Sequence, residues 1–164
     1  MTIATSYLTT PIGLLELRGS DAGLEAVRFL DDSAGLSETR TSAVPSCLQE
    51  AQRQLRAYFG RELRDFSLTY AAGQGTSFQR RVWELLPTVG FGRTASYLDL
   101  ARQLDNVGAV RAVGAANGQN PLAIVWPCHR IIGASGQLTG YAGGLPRKKW
   151  LLEFERPAFQ QSLF

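Results

Sequence analysis

Five apolar residues between two prolines, at positions 122–126, constrain this chain more than any other segment. An uninterrupted apolar run of this length is typical of a buried strand. Pro121 and Pro127 each push the preceding residue into extended backbone. The segment therefore predicts a buried strand that changes direction at Cys128. Covering it needs a substantial core, and 164 residues that are 45% hydrophobic suffice for one domain or two small ones.

Cys128 is followed directly by His129, the only histidine in the sequence. A cysteine attacks as its thiolate, and a free pKa of about 8.5 leaves little of it ionised at neutral pH. A neighbouring histidine can accept the thiol proton, directly or through a water, when a third group orients its ring. Taken singly, each residue is more typical of a buried structural position. Together, after a buried strand, they predict a nucleophile and its base.

The second cysteine, Cys47, lies near the start of a predicted helix and has no histidine beside it, so we interpret it as incidental. Two cysteines do not form a disulfide framework in a chain of this length, and both are expected to be free thiols. Structural zinc usually takes four Cys or His ligands, whereas the chain offers two cysteines and one histidine. We therefore expect no metal.

The expected compartment is the cytoplasm. No apolar run approaches the roughly 20 residues of a membrane span. Residues 1–10 also lack the positively charged start of a signal peptide.

Charge is distributed unevenly along the chain. Residues 1–75 contain seven basic and nine acidic residues, a net charge of −2, whereas residues 76–164 contain ten basic and five acidic residues, a net charge of +5. The basic half favours a polyanionic partner such as nucleic acid, although ordinary surface charge gives the same pattern. The Gly-rich stretch 71–75 is the predicted joint between an N-terminal domain, 1–72, and a C-terminal domain, 73–164.

The N-terminal domain is predicted to have an α/β fold with an antiparallel sheet. After the polar residues 31–44, apolar residues spaced by three and four predict a helix that follows Pro45 and ends at Gly60. Residues 66–70 are a candidate for a further strand. The three strands of the sheet, separated by tight turns, are predicted at 3–8, 14–18 and 24–30.

Helical signals dominate the C-terminal domain. Ser77 is placed to cap a first helix. Ser96 and Asp99 form a capping box for a second helix, which breaks at residues 105–108. A third helix is predicted over 109–117. The length of the break and its glycine match a helix-turn-helix.

The last of these helices carries almost no side-chain bulk. It consists mainly of alanine and glycine, and its one charged residue is Arg111. Such a helix suits tight packing against its neighbours, and it equally suits a helix that lies deep in a DNA groove with weak sequence preference. In the second case, Arg111 is placed to fill the space left by a base rotated out of the duplex.

Six segments of the second half occur in a characteristic order and spacing. They resemble the O6-alkylguanine-DNA alkyltransferase (methylguanine methyltransferase) family, strongly over residues 77–155 and more weakly over the N-terminal strands. The segments are Ser96-Tyr97, Arg111-Ala112-Val113-Gly114, Asn120-Pro121, Pro127-Cys128-His129-Arg130, Gly140-Tyr141-Ala142-Gly143-Gly144, and Lys148-Lys149-Trp150-Leu151-Leu152 with Glu155.

The resemblance implies roles in the chemistry for five matching residues. Cys128 corresponds to the nucleophile that accepts an alkyl group irreversibly. His129 corresponds to the base that takes the thiol proton through a water, and Glu155 to the carboxylate that orients His129. Asn120 corresponds to a hinge between the recognition helix and the active-site segment. Tyr97 corresponds to the residue that helps to rotate the nucleotide and donates a proton to the base.

Further matches concern the base and the duplex. Tyr141 corresponds to a wall of the base pocket, Ala142 to a backbone N–H that meets the guanine O6, and Ile131 to a backbone contact in the same pocket. Arg111 corresponds to the arginine that replaces the flipped guanine. The other DNA-binding positions that the resemblance implies are Ala112, Gly114, Tyr97 and Ser96.

The resemblance implies direct-reversal repair of double-stranded DNA that carries O6-alkylguanine, with O4-alkylthymine as a further substrate. It implies no cofactor, a single turnover per molecule, and a monomer that can assemble cooperatively on DNA. The residues agree with a single turnover, because none of them is suited to cleaving the thioether product.

Two features depart from the family pattern. The zinc ligands that some members carry in the N-terminal domain are missing, which again predicts no metal. Trp126 stands where a smaller aliphatic residue is more common. It either packs into the core or changes the pocket size or the strand register.

Three other functions are alternatives to direct-reversal repair. An alkyltransferase-like protein binds the lesion without chemistry, but it lacks the motif cysteine that is present here. A helix-turn-helix regulator with a sensor cysteine needs side chains that read bases, and the bare third helix argues against it. The sequence contains no second motif that would support a Cys-His hydrolase.

Overall fold

The computed structural model describes residues 2–157. The chain divides into two compact units, Met1–Gln74 with Pro121–Val125, and Gly75–Asn120 with Trp126–Phe164. The domain boundary at 72/73 stays a prediction, and the far end of the predicted C-terminal domain, 158–164, lies outside the described residues. The return of Pro121–Val125 to the first unit was not predicted.

The first unit contains a three-stranded antiparallel sheet with the order β1-β2-β3. The strands are β1 (Ala4–Thr10), β2 (Gly13–Ser20) and β3 (Gly23–Leu30). Both turns use a glycine with positive φ, Gly13 at 124° and Gly23 at 135°, a conformation that other residues rarely adopt. The antiparallel sheet predicted from the spacing of the turns is confirmed.

The helix of the first unit, α1 (Ser46–Phe59), packs against this sheet. Leu48, Leu55 and Tyr58 are fully buried, as the spacing predicts, and Gly60 ends the helix. Residues 66–70, the candidate for a further strand, return to the sheet through one isolated bridge, between Leu24 and Tyr70, and do not form a regular strand.

The prediction of a strand over 122–126 is wrong. A single bridge joins Leu122 to Val27, and the backbone then turns back when the Val125 N–H donates to the Ala123 carbonyl oxygen at 2.8 Å. Ile124, with φ at 71°, lies in the left-handed region. The apolar run correctly indicates burial, but burial alone does not decide which backbone hydrogen bonds a segment forms.

The second unit is mainly helical. Its elements are α2 (Ser77–Leu85), β4 (Ala95–Ser96), α3 (Tyr97–Gln103), α4 (Val110–Gly118), β5 (Ile131–Ile132) and α5 (Leu145–Glu155). The two short strands pair in parallel. Thr76, not Ser77, caps α2, because the Thr76 hydroxyl accepts from the Gln79 N–H and the Gln79 side chain reaches back. The capping box at Ser96 and Asp99 is confirmed.

Helices α3 and α4 form the predicted helix-turn-helix, and α4 packs closely on α2. The indole N–H of Trp83 donates to the Ala116 carbonyl oxygen at 2.8 Å, which joins α2 to the backbone of this small-residue helix. Trp126 stacks on Trp83 with ring centroids 5.9 Å apart, which places it against the core. The core of this unit comprises Val82, Trp83, Leu86, Val89, Leu100, Ala101, Val113, Ala116, Cys128 and Ile131.

No helix within residues 2–157 combines the length and the apolar character needed to cross a membrane.

Candidate active site

Cys128 begins a short 3-10 turn, Cys128–Arg130, that lies in the core of the second unit. Its N–H donates to the Trp126 carbonyl oxygen at 2.7 Å, so the chain bends sharply at Pro127. Two asparagines hold this bend. Asn120 Nδ2 donates to the Trp126 carbonyl oxygen at 2.7 Å, and Asn117 Nδ2 donates to the carbonyl oxygen of Cys128 itself at 3.2 Å.

The sequence places His129 and Glu155 far apart, and the fold joins them. The Nε2 of His129 lies 2.8 Å from Glu155 Oε2, and both side chains are almost completely buried. Arg130 donates to the same carboxylate from Nε at 2.8 Å and from Nη2 at 3.0 Å, and its Nη1 donates to the Val89 carbonyl oxygen. Glu155 therefore accepts three hydrogen bonds from two neighbours in the turn.

The charge state of this cluster follows from burial and from Arg130. Burial opposes the charge on Glu155, but His129 and Arg130 outweigh it and lower the carboxyl pKa to about 2. Burial also lowers the pKa of His129, although Glu155 opposes that shift. The charge of His129 lowers the Glu155 pKa only when His129 is protonated. The permanent charge of Arg130 therefore keeps Glu155 ionised beside a neutral imidazole at pH 7.

An ionised carboxylate only accepts hydrogen bonds, so the His129 proton is assigned to Nε2. His129 Nδ1 is then the basic nitrogen, and it is buried without a hydrogen-bond partner among residues 2–157. Burial raises the pKa of the Cys128 thiol, while Asn120 and the charge of Lys148 act in the opposite direction. The thiol is therefore protonated at neutral pH and needs a base. The next residue, His129, has a neutral imidazole that can accept the proton.

The predicted pocket residues lie in three segments of the second unit. Ile131 is buried in β5, directly after the Cys128 turn. Tyr141 is half-buried with its hydroxyl wholly enclosed, and burial followed by the charges of Cys128 and Glu155 raises its pKa well above the usual value. Ala142 is exposed. Tyr141 and Ile131 thus lie near the thiol, whereas no described contact joins Ala142 to it.

The predicted DNA-binding residues lie on or next to the helix-turn-helix. Arg111 and Ala112 are exposed in the first turn of α4, whereas Val113 beside them is buried. A Cβ on Gly114 would lie 3.8 Å from the Tyr97 ring, an ordinary contact, so packing against Tyr97 does not require glycine there. Ser96 is held in its capping box. The exposed face of α4 therefore offers one charged side chain.

Sequence reasoning assigned no role to Asn117, Arg130 or Lys148, although it quoted the last two as motif residues. Lys148 is 0% exposed, and its ammonium donates to the Ile131 and Thr139 carbonyl oxygens and to the Tyr97 hydroxyl. The spacing of Lys148 from Leu151 and Glu155, three and seven residues, puts them on one helix face. A lysine at a core-facing position was the available signal.

Among residues 2–157, no group of three or more His, Cys, Asp or Glu side chains is arranged to hold a metal ion. The two cysteines are free, with Cys128 buried and Cys47 partly exposed.

Comparison with known proteins gives a consistent result over both units. The family description "6-O-methylguanine DNA methyltransferase, DNA binding domain" matches residues 77–157, and "6-O-methylguanine DNA methyltransferase, ribonuclease-like domain" matches residues 3–71. A methylated-DNA--protein-cysteine methyltransferase of Mycolicibacterium paratuberculosis is 50% identical over 147 residues, covering 90% of this chain and 88% of that protein.

Solved structures agree. The O6-methylguanine methyltransferase of Mycobacterium tuberculosis has a TM-score of 0.79 and 43% identity, covering 99% of this chain and 100% of its own. A structure of the M. tuberculosis protein OGT in complex with DNA has the same TM-score and 45% identity, covering 92% of each chain. On these matches, the chain belongs to the 6-O-methylguanine DNA methyltransferase family.

Proposed function

We propose that the protein repairs DNA by direct reversal, with Cys128 taking the alkyl group from the O6 oxygen of a modified guanine and keeping it. The observation that carries this proposal is the arrangement around the thiol. A protonated, buried cysteine is followed by a neutral histidine whose other nitrogen is held by an ionised, arginine-bound carboxylate. Such a set activates a thiol without lowering its resting pKa.

The nucleophilic step uses Cys128, His129 and Glu155. The thiol proton passes to His129 Nδ1, directly or through one water, and Glu155 stabilises the imidazolium that forms. The sulfur then attacks the alkyl carbon in line, so that the S–C bond forms while the C–O6 bond breaks. The product is a neutral thioether, which has no leaving group that the site can activate. The protein is consumed in the reaction.

The leaving base takes up the electron pair of the broken bond and needs a proton. Tyr97 supplies it from its hydroxyl, which now donates to the Thr139 carbonyl oxygen at 3.1 Å. Tyr141 forms one wall of the base pocket, the Ala142 N–H meets O6, and Ile131 contributes its backbone. Support for this pocket comes from the burial of the Tyr141 hydroxyl and from the position of Ile131 after the nucleophile turn.

Double-stranded DNA is the partner, and the helix-turn-helix is its binding surface. The exposed face of α4 carries Arg111 and Ala112, so Arg111 enters the duplex and replaces the flipped base. Gly114, Ser96 and Tyr97 complete this surface. Asn120 is the hinge that couples α4 to the nucleophile, in keeping with its hydrogen bond to the Trp126 carbonyl oxygen.

We extend the proposal to O4-alkylthymine, whose alkylated oxygen occupies an equivalent position on a smaller base. The protein acts as a monomer, because the proposed catalytic side chains all come from residues 97–155 of one chain, and it assembles cooperatively along DNA. It works in the cytoplasm, where reducing conditions keep the Cys128 thiol free. Residues 73–164 carry the DNA-binding and transfer functions, and residues 1–72 support them.

Intact-protein and peptide masses test the central claim. After incubation with duplex DNA that carries O6-methylguanine, the Cys128 peptide should gain one methyl group, saturating at one per molecule. Cys47→Ser should behave as the unaltered protein does, and Cys128→Ser should gain nothing. Repaired DNA with an unmodified protein, or methylation of Cys47 instead, would refute the proposal. DNA binding without any methyl transfer would assign the chain to non-reactive DNA-binding proteins.

A further inference from the structure

Asn117 is a buried amide in the helix that is proposed to meet DNA, and the mechanism above gives it no role. It is 1% exposed in the last turn of α4, whereas Arg111 in the first turn is exposed. Six residues separate the two, about 9 Å along the helix axis. One short helix therefore carries the proposed DNA contact near its start and a buried amide near its end.

The Asn117 amide holds the backbone of the proposed nucleophile. Its Nδ2 donates to the Cys128 carbonyl oxygen at 3.2 Å, and because a carbonyl only accepts hydrogen bonds, the orientation of the amide is defined. The Ile131 N–H donates to the same oxygen and closes the 3-10 turn. The Cys128 carbonyl thus has a donor without Asn117, and the second hydrogen bond restricts the direction in which this peptide group points.

The other end of the amide shows that burying Asn117 carries a cost. Its Oδ1 is buried and accepts no hydrogen bond from any group within residues 2–157. An orphaned buried acceptor destabilises a fold, and an apolar side chain of the same shape avoids that cost. Asparagine is also a weaker helix former than leucine. Stability alone therefore favours an apolar residue here, and what asparagine adds is a hydrogen bond to the residue that bears the reacting sulfur.

Asn117 and Asn120 hold the bend on its two sides. Asn120 donates to the Trp126 carbonyl oxygen, before Pro127, and Asn117 donates to the Cys128 carbonyl oxygen, after it. Hydrogen bonds from the end of α4 thus restrain the backbone on both sides of the proline. In-line displacement needs the sulfur opposite the leaving O6 oxygen, so a rotation of the Cys128 backbone misdirects the attack.

We propose that Asn117 is a positioning residue for alkyl transfer, which holds the Cys128 backbone so that the sulfur lies on the line of attack. This inference rests on the proposed function. The S–C bond forms while the C–O6 bond breaks, and the purine keeps the electron pair. The thiol proton passes to His129, and the purine takes the Tyr97 proton. Asn117 exchanges neither protons nor electrons in this step, so it acts on the rate through the position of the sulfur.

The test compares a bound purine with a small reagent. O6-Benzylguanine reacts when its benzyl carbon lies in line with the sulfur, whereas iodoacetamide is free to approach from several directions. Asn117→Leu keeps the shape of the side chain but removes the Nδ2 donor. We expect it to lower the maximal rate of benzyl transfer by about 10- to 100-fold, the loss that a displacement of up to about 1 Å produces. The half-saturation concentration of benzylguanine should not change, and alkylation of Cys128 by iodoacetamide should stay within about threefold of the unaltered rate.

Stability separates positioning from packing. Because leucine removes the orphaned Oδ1 while the Cys128 carbonyl keeps its Ile131 donor, the urea midpoint of Asn117→Leu should stay level or rise. Gln119→Leu removes a similar amide from an exposed position at the end of α4 and should leave both reaction rates unchanged. Asn117→Ala, which cannot overfill the site, should show the same difference between the two reagents. That variant alone decides if Asn117→Leu does not fold.

Three results would overturn the proposal. They are an unchanged benzylguanine rate in both Asn117 variants, an equal loss with iodoacetamide, and a raised half-saturation concentration with an unchanged maximal rate. Failure of the proposed function looks different, since the unaltered protein would then leave Cys128 unmodified by O6-benzylguanine.

Discussion

Replacing Glu155 with glutamine should reveal how strongly the buried charge cluster stabilises the protein. Glutamine has nearly the same size, but it is neutral and offers one acceptor oxygen where the carboxylate offers two. Arg130, only 4% exposed, would lose its counter-ion, and one of its two donors would face the new amide N–H groups. The variant therefore removes charge pairing from the interior without creating a cavity.

Two routes give the size of the effect. Removing one partner of a buried ion pair costs about 3–5 kcal/mol, because the other charge stays buried without a counter-ion. The same pairing lowers the Glu155 pKa from 4.5 to about 2, which corresponds to about 3 kcal/mol at about 1.36 kcal/mol for each pKa unit, with His129 protonated at the low pH where Glu155 titrates. We expect Glu155→Gln to lower the free energy of unfolding by about 3 kcal/mol at pH 7, a large part of a typical domain's stability.

Urea unfolding at several pH values measures this difference and its origin. Because the folded pKa of Glu155 lies below the unfolded value, its contribution is complete above about pH 5 and is lost as the pH falls toward 2. The stability gap between the unaltered protein and Glu155→Gln should therefore shrink by about 2 kcal/mol between pH 7 and pH 3. Alkyl transfer should also slow, because His129 loses the carboxylate that orients it.

Controls identify the cause. Glu50→Gln breaks an equally close pair with Arg53, but both residues are exposed, so the free energy of unfolding should not change measurably. Combining Glu155→Gln with Arg130→Met should recover much of the lost stability, since no unpaired charge remains. A loss below about 1 kcal/mol for Glu155→Gln, or a gap that does not depend on pH, would contradict the reasoning.

Three further predictions concern single residues. Arg111→Ala should slow repair of duplex DNA by about tenfold or more but leave the reaction with free O6-benzylguanine unchanged, since only the duplex requires base flipping. Equal losses in both reactions would contradict the proposal that Arg111 replaces the flipped base. Trp126→Leu removes the stack on Trp83 and should lower the free energy of unfolding in urea by about 1–2 kcal/mol. The ratio of the reaction rates with methyl and benzyl substrates should stay the same, and a changed ratio would place Trp126 in the pocket. The rate of transfer from O6-benzylguanine should stay level from about pH 8 down to 6.5, because burial lowers the His129 pKa below 6.5. A tenfold fall in this rate per pH unit would instead indicate attack by free thiolate.

Features that depend on nearby residues were predictable from the sequence. The capping box at Ser96 and Asp99 is decided by side chains three residues apart, and the structure contains it. The same holds for α1, which was predicted from the spacing of its apolar residues and from the glycine that ends it. The helix cap at Ser77 was wrong by one residue, because Thr76 also has a hydroxyl and its partner Gln79 decides between them.

Features that depend on distant partners were not predictable in the same way. Whether residues 122–126 form a strand depends on how much of the segment can pair with β3, and only Leu122 does. The Glu155 side chain reaches His129 across 26 sequence positions, and its role came from a family resemblance rather than from spacing. All of the roles carried over from the resemblance, those of Ala142 and Arg111 included, stay predictions.

Lys148 shows why charged residues in a core escape sequence reasoning. Lysine is exposed in most positions, so the Lys148-Lys149 pair does not by itself indicate that one member is buried. The helical spacing from Leu151 to Glu155 becomes informative only once that face is known to be buried. The sequence therefore pointed to the proposed nucleophile and its proposed base but not to the cation near them.

The charges within the second unit explain why this site suits a single transfer. At rest, Arg130 and Lys148 carry two buried positive charges and Glu155 carries one negative charge, while His129 and Cys128 are neutral. In the proposed reaction, moving the thiol proton to His129 adds positive charge to the interior beside the ionised Glu155. Proton exchange with solvent can restore every one of these groups except Cys128. The sulfur ends as a neutral thioether with no ionisable proton, so the cluster that activated it has nothing left to act on.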